Sequence, residues 1–214
     1  DNIRPLINEI EDTLTGHVDF EVIFVDDCSL DDSLDVLLHL KSHVKTLRVL
    51  THQVRSGQSA AILSGVRAAK YSLIATIDGD GQNKPSDILR MLDVYEKYDC
   101  EKEFTLVCGQ RTERKDTFSK RVTSIIANFI RSKLLNDKTV DTGCGLKLFS
   151  QEDFIKLPSF NHMHRFLPAL MIRNGGNVIP ISVSHRARKA GSSKYGTFDR
   201  LWVGVFDLFG VFWL

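Results

Sequence analysis

Short apolar runs alternate with helix-period segments through the first half of the chain. Phe20-Glu21-Val22-Ile23-Phe24-Val25, Thr46 to Thr51, Leu73-Ile74-Ala75-Thr76-Ile77 and Phe104 to Cys108 are partly β-branched and bounded by turn residues. That pattern predicts buried strands. The segments between them predict helices. Ser29 with Asp32 forms a capping box ahead of Leu34, Leu37 and Leu38. Ser56-Gly57-Gln58-Ser59 opens an alanine-rich helix running to about Ala69, and Pro85 suits the first turn of a helix from Ser86 to Tyr98. The opening residues, Asp1 to Ile7, also read as helix. Repeated β-α alternation argues for an α/β fold with a mostly parallel sheet covered by helices on both faces. Ligands in such sheets bind beyond the carboxyl ends of the strands. Asp26/Asp27 and Asp78/Asp80 both follow strands, so they are expected to share one cleft.

The second half is less regular. Phe118 to Leu135 predicts an amphipathic helix with Val122, Ile125, Ile126, Phe129 and Leu134 inward. Asp141-Thr142-Gly143-Cys144-Gly145 reads as a loop before a strand at Leu146 to Phe149. Asn161 to Asn174 reads as helix, Val178 to Ser184 as strand. A basic run, Arg186 to Lys194, follows. The chain closes on the apolar segment Phe198 to Leu214, which contains Trp202 and Trp213.

The stretch Asp78-Gly79-Asp80-Gly81-Gln82-Asn83 carries the most chemistry. In an extended segment, residues two apart point the same way. Asp78, Asp80 and Gln82 are then expected to present three hard oxygen ligands on one side, a set that suits Mg²⁺ or Mn²⁺. An Asp- and Gly-rich turn without a ligand is the alternative.

Charge sharpens this picture. Residues 1–110 carry 11 Lys/Arg against 19 Asp/Glu, and residues 111–214 carry 17 against 8, so a net −8 half precedes a net +9 half. The asymmetry suggests a metal- or nucleotide-handling half and an anion- or membrane-facing half. The basic run has no recognisable nucleic-acid module beside it, so phosphate and membrane surface are the expected partners, not nucleic acid. Cys28, Cys100, Cys108 and Cys144 form no CxxC pair, which favours reduced thiols. His162, His164 and His185 lack an evident fourth ligand for zinc. No run of eighteen uninterrupted apolar residues occurs.

Taken together, these motifs resemble family 2 glycosyltransferases, in the dolichol- or polyprenyl-phosphate sugar transferase branch. Val25-Asp26-Asp27-Cys28-Ser29 is similar to the family's nucleotide-binding strand end. Arg55-Ser56-Gly57-Gln58-Ser59-Ala60 is similar to its donor-side helix start, and Asp78 to Pro85 to its metal motif. Gly109-Gln110-Arg111, Lys120 to Ser124 with Asn128, Asp141 to Gly145 and Arg188 to Lys194 complete the set in the expected order. The resemblance implies a GT-A type nucleotide-binding fold. It also implies transfer of a sugar from a nucleotide-diphosphate donor to a polyprenyl (dolichyl or undecaprenyl) phosphate, at the cytoplasmic face of a membrane. The first strand of that fold, with its Pro-x-Tyr-Asn-Glu motif, has no counterpart here. The implied organisation is a catalytic domain over residues 1–196 and an apolar interfacial helix, or the start of a membrane segment, over 197–214. Lys120 and Lys147 stand where a family Arg is frequent, keeping the charge without the bidentate fork.

The implied roles follow. Asp26, Asp27, Ser56, Gly57, Gln58 and Asp78 are the nucleotide-sugar candidates; the other reading of Asp26 and Asp27 is helix capping. Asp78, Asp80 and Gln82 are the metal candidates. Arg111, Lys120, Arg121, Ser124, Arg188 and Lys194 are the acceptor-phosphate candidates, and Asp80, Asp141 and Arg188 the catalytic ones. An acceptor phosphate is already anionic and needs no strong general base; the site must instead supply positive charge to bring two anions together. Asp141 positions the acceptor or sugar, or is a structural turn. The alternatives are a glycosyltransferase acting on a saccharide hydroxyl and a non-catalytic nucleotide- or lipid-binding remnant. A processive polysaccharide synthase is disfavoured, because Arg200-Leu201-Trp202 lacks the Gln and the Arg-Trp adjacency of the Gln-x-x-Arg-Trp motif.

Overall fold

In a computed structural model of the chain, residues 2–98, 104–111, 131–135, 137, 139, 141–187 and 207–214 are described. The first helix, α1 (Ile3–Leu14), buries Ile3, Leu6, Ile7, Ile10 and Leu14, a spacing that repeats with the helical period. Strand β1 (Val22–Asp26) leads to α2 (Ser33–Lys41), β2 (Leu47–Thr51), α3 (Gln58–Ala68), β3 (Leu73–Thr76) and α4 (Ser86–Lys97). Then come β4 (Thr105–Arg111), β5 (Lys147–Ser150), α5 (Gln151–Lys156), a 3₁₀ turn at Met163–Arg165, α6 (Leu167–Arg173) and β6 (Asn177–Val183). Residues 131–135 and 207–213 are also helical.

The expected elements are present, with local differences. The capping box ahead of α2 does not form: Asp32 makes no side-chain cap, and the Ser29 amide instead donates to Asp26 at 3.2 Å. The helix expected from Asn161 to Asn174 is split. His162 takes a left-handed conformation (φ +66°) and opens the 3₁₀ turn, and Pro168 sits in the first turn of α6, where a missing amide costs nothing. Of the helix expected from Phe118, only 131–135 lies within the described residues. Cys28, Cys108 and Cys144 are free thiols; Cys100 lies outside the described residues.

Strands β1 and β2 pair in parallel as one sheet, and the second sheet has the order β3-β5-β4-β6. There β4 and β6 are parallel, while β5 runs against both β3 and β4. Alternation along the central strands feeds two helix layers. Leu106 and Phe149 pack with Val66, Phe154, Leu167, Leu170 and Met171 from α3, α5 and α6. Val107 and Leu148 face the other way, onto Leu6, Ile10, Leu14, Ile88 and Met91 from α1 and α4.

Between the facing edges of β1 and β3 runs a cavity of about 1110 Å³, walled on its two other sides by Leu6, Ile7 and Ile10 of α1 and by Ala61, Ile62 and Gly65 of α3. An all-apolar strand such as Val22-Ile23-Phe24-Val25 is expected to be fully buried, yet these four residues are only half-buried, and Ala75 of β3 is exposed. One end of the cavity opens among Gln58, Asp78, Asp80, Arg111 and Lys147.

Candidate active site

The acidic pair after β1 is built into the fold. Asp27 accepts the Ser56 amide (2.8 Å) and His52 Nδ1 (2.8 Å) on Oδ1, and the Gly57 amide (2.7 Å) on Oδ2. Gly57 is the N-cap of α3 and has φ +86°, which a side chain resists. Asp27 therefore supplies acceptors for orphan amides at the start of α3. Burial opposes its ionisation, but the His52, Ser56 and Gly57 donors outweigh that and hold its carboxyl below the usual range. His52 is itself fixed by Ser64 Oγ at 2.9 Å. Asp26 is buried, and its carboxylate accepts only the Ser29 amide among the described residues, on Oδ2.

The pair after β3 is different. The chain is not extended from Asp78 to Gln82; residues 79–81 turn, with Gly81 at φ +72°. The alternating display expected from the sequence is therefore replaced by a turn. Asp78 Oδ1 receives the Gln58 amide at 3.0 Å, so the start of α3 touches both acidic motifs. Burial first, and then the charge of Asp80, push the Asp78 carboxyl above its usual range; Lys147 and Arg111 offset this in part. Asp80 Oδ1 accepts the Gln82 amide at 3.1 Å. The Gln82 side chain turns to the segment after β6: its Nε2 lies 3.3 Å from His185 Nε2 and donates to the Arg186 carbonyl at 3.2 Å. Arg186 reciprocates, donating its backbone amide to Gln82 O (2.8 Å) and its guanidinium to Asn83 O and Glu9, each 2.9 Å.

Glycine spacing in the 141–145 loop has a physical cause. A Cβ on Gly145 would fall 2.3 Å from the Asp78 carboxyl, and one on Gly143 would fall 3.3 Å from Arg111 Nη2. Close approach of this backbone is what lets Asp78 sit beneath it. In the same loop Asp141 is gripped by Arg111: Nε donates to Oδ2 and Nη2 to Oδ1, both at 2.7 Å, and the Arg111 amide adds a third bond at 3.2 Å. The fork raises the guanidinium's proton affinity against the opposing effect of burial. Lys147, on β5, is buried and donates to the Cys144 and Thr142 carbonyls. Burial lowers its pKa, against the pull of Cys144 and Asp78.

Among the nominated residues, the structure gathers Asp26, Asp27, Ser56 and Gly57 at the β1 end, and Gln58, Asp78, Asp80, Gln82, Arg111 and Asp141 at the β3 end. Lys120, Arg121, Ser124, Arg188 and Lys194 lie outside the described residues. Sequence reasoning did not place His52 in the site; it offers Lys147 only as the stand-in for a family Arg, and His164 to Pro168 as sugar-side wall or packing. The Gly143/Gly145 alternation beside Asp141 was the one legible signal for the close backbone approach.

The residues fit a hard divalent cation in part. Asp78 and Asp80 offer two carboxylates whose mutual repulsion a cation relieves. Gln82's amide nitrogen is held elsewhere, and no cluster of three His, Cys, Asp or Glu suited to a metal occurs among the described residues. Such a site would need ligand oxygens to complete its shell.

Comparison with known proteins agrees with this geometry. A dodecaprenyl-phosphate galacturonate synthase from Rhizobium johnstonii is 32% identical over 98% of the chain. An undecaprenyl-phosphate 4-deoxy-4-formamido-L-arabinose transferase from Photorhabdus laumondii is 28% identical over 89%. The chain spans 62% and 57% of those two relatives. Among solved structures, glucosyl-3-phosphoglycerate synthase from Mycobacterium tuberculosis, crystallised with Mn²⁺, UDP and phosphoglyceric acid, superposes with a TM-score of 0.69. It covers 98% of this chain and 72% of its own, at 19% identity, a likeness of fold. The family model described as Glycosyl transferase family 2 matches residues 1–157, and with the α/β architecture above this establishes that the chain belongs to glycosyl transferase family 2 and has a GT-A type fold.

Proposed function

We propose that the protein transfers a sugar from a nucleoside-diphosphate donor to a polyprenyl phosphate at the cytoplasmic face of a membrane. The observation that carries this reading is the acidic pair Asp78 and Asp80 facing Arg111 and Lys147 in one cavity. Such a site matches a diphosphate leaving group on one side and an anionic acceptor on the other. Asp26, whose Oδ1 has no partner among the described residues, is the better contact for the base or ribose, since Asp27 is committed to α3. A divalent cation held by Asp78 and Asp80, Mg²⁺ or Mn²⁺, would neutralise charge developing on the leaving nucleotide.

The Arg111–Asp141 fork separates two acceptor classes. A saccharide hydroxyl must lose its proton as it attacks, and Asp141 is the carboxylate placed for that work. Both of its oxygens are taken by Arg111, so Asp141 is committed to the fork and not to an acceptor hydroxyl. A phosphate monoester needs no base, so the phosphate acceptor is the better match, with Arg111, Lys120, Arg121, Ser124, Arg188 and Lys194 as its contacts. The names of the two polyprenyl-phosphate relatives support the same choice.

Two further features complete the reading. Strands β1 and β3 line one cavity without pairing with each other, so the edges facing it hold backbone groups that a ligand or another strand can meet. At the other end of the chain, Leu208 and Val211 of the 207–213 helix are buried on the core, while Phe209, Phe212 and Trp213 are exposed, Trp213 by 89%. A face of this kind suits the headgroup region of a bilayer. Among the described residues no helix is long and apolar enough to cross a membrane.

The reading is tested by incubating the full-length protein with polyprenyl phosphate, Mn²⁺ and radiolabelled nucleotide sugars. A product that partitions into organic solvent and releases its label in mild acid is expected. Label confined to water-soluble glycans would overturn the polyprenyl-phosphate acceptor.

A further inference from the structure

His164 is a part-buried group for which the proposed chemistry has no role. It sits in the 3₁₀ turn Met163–Arg165 and lines the cavity together with Gln58, Asp78, Lys147 and Arg165. Its Nδ1 lies 2.8 Å from Ser59 Oγ, in the first turn of α3. Its own backbone amide donates to the same oxygen at 3.3 Å. With that amide occupying one lone pair, the Ser59 hydroxyl still has its proton to give to His164 Nδ1. In that arrangement the ring hydrogen sits on Nε2. Nε2 has no partner among the described residues, and it is not a sealed, unsatisfied atom. Burial first, then the charges of Lys147, Arg165 and His162, lower the imidazole's pKa to about 3, so the ring is neutral throughout the working range.

The position of this donor selects its ligand. Asp26 and Asp27 stand at the β1 end, and Asp78 and Asp80 at the β3 end. Across β3, on the side away from β1, lies β5 with Lys147. A nucleotide sugar laid across these strand ends, base at β1 and diphosphate at Asp78, brings its sugar to the Lys147 and His164 side. We propose that His164 is a donor-specificity residue whose Nε2–H donates a hydrogen bond to a hydroxyl of the transferred sugar, with Ser59 holding the ring in register. This rests on the nucleotide-sugar reading above. A neutral donor suits a hydroxyl, because it discriminates by geometry without adding charge beside Lys147.

The test uses the full-length protein with Mn²⁺ and calorimetric titration of UDP, GDP, UDP-glucose, UDP-galacturonate and GDP-mannose. The tighter sugar–nucleotide pair is then carried into variants. His164→Asn keeps an acceptor near Ser59 but lacks an Nε2 donor. His164→Gln reaches the Nε2 position with an amide donor. The expected result is that His164→Asn loses about tenfold or more in nucleotide-sugar affinity while its nucleoside-diphosphate affinity stays within about twofold, the scale of one hydrogen bond to a neutral group. His164→Gln recovers most of the loss. Ser59→Ala, a smaller change that serves if His164→Asn melts early, gives a partial loss of the same selective kind. Equal losses for both ligands, or no loss for either, would overturn the role of His164. A wild-type protein that binds none of these nucleotides overturns the donor reading itself, a result separable from the other two.

Discussion

The β1 end and the β3 end each carry a pair of aspartates just after the strand, and they are electrostatic opposites. At the β1 end, Asp27 collects three donors from His52, Ser56 and Gly57, and its pKa falls. At the β3 end, Asp78 is half-buried beneath Gly145 with the Gln58 amide as its hydrogen-bond donor and Asp80 as a repelling neighbour, and its pKa rises. One carboxylate has been consumed in building the start of α3. The other is held in a state that an arriving cation would improve. The same residue type after the same kind of strand is well supplied with donors in one place and poorly supplied in the other, and the opposite pKa shifts follow from the number of donors within reach.

The strongest way to break this contrast is to neutralise each end in turn. Asp80→Asn is expected to lower turnover by about 100-fold or more, the scale for removing one preorganised electrostatic contact from a transition state. Its thermal midpoint should stay near wild type, because a repulsive pair is relieved. Asp27→Asn should do the reverse. Initial rates per folded molecule, alongside melting curves, read both. If Asp80→Asn retains full turnover, the β3 end is not poised for catalysis, whatever its charge.

Gly145→Ala probes the same end without touching a charge. The added methyl would lie 2.3 Å from the Asp78 carboxyl, so one of the two must move. Overpacking of that kind costs about 1–3 kcal/mol, and the displaced carboxylate should also weaken Mn²⁺ binding. The matching change at Gly143 meets Arg111 Nη2 at 3.3 Å, a flexible tip, and should be milder. A Gly145→Ala protein with unchanged denaturant midpoint and unchanged Mn²⁺ affinity would remove close backbone approach from the account.

Asp27→Asn gives the next effect in size. Loss of a charged helix cap costs about 1–2 kcal/mol, visible as a lower urea midpoint with an unchanged slope. His52→Ala should reproduce part of that loss, because His52 supplies one of the three donors.

Sequence patterning made the elements legible because the apolar runs are short and bounded by turn residues, and the period of each segment matches the element it forms. It also located both acidic pairs. What it did not separate was their function, since donor counting depends on partners 25 to 30 residues away, such as His52, Ser56 and Gly57 for Asp27. The expected alternating display of Gln82 gave way to a turn for a similar reason. Gly81 turns the chain, and a contact about a hundred residues distant, with His185 and Arg186, decides where the amide points. Lys147 was legible only as the stand-in for a family Arg, because alternation along β5 says which face a residue takes but not that the face lines a cavity.

Acid separates the two ends most gently. Asp27, with its pKa depressed in the folded protein, gives stability that is present above the unfolded value of about 3.9 and lost only as pH falls through its lower folded value. Asp78 has the opposite sign: its folded pKa is raised, so the folded protein binds its proton at a pH where an ordinary aspartate is ionised. Mn²⁺ competes with that proton. As pH falls from 7 through the raised Asp78 value, Mn²⁺ affinity should therefore decline, approaching about tenfold per pH unit, while the Asp27 cap stays intact. His164 adds a background, because below pH 6.5 the unfolded chain takes up a proton that the native ring refuses until about pH 3. Native stability consequently falls on acidification by up to about 1.4 kcal/mol per pH unit, and His164→Gln should flatten that slope. Free Mn²⁺ measured by electron paramagnetic resonance, in the His164→Gln background, isolates the Asp78 effect. An affinity that stays level from pH 7 to well below 4 would mean that Asp78 is no less compensated than Asp27, and the contrast between the two strand ends would be gone.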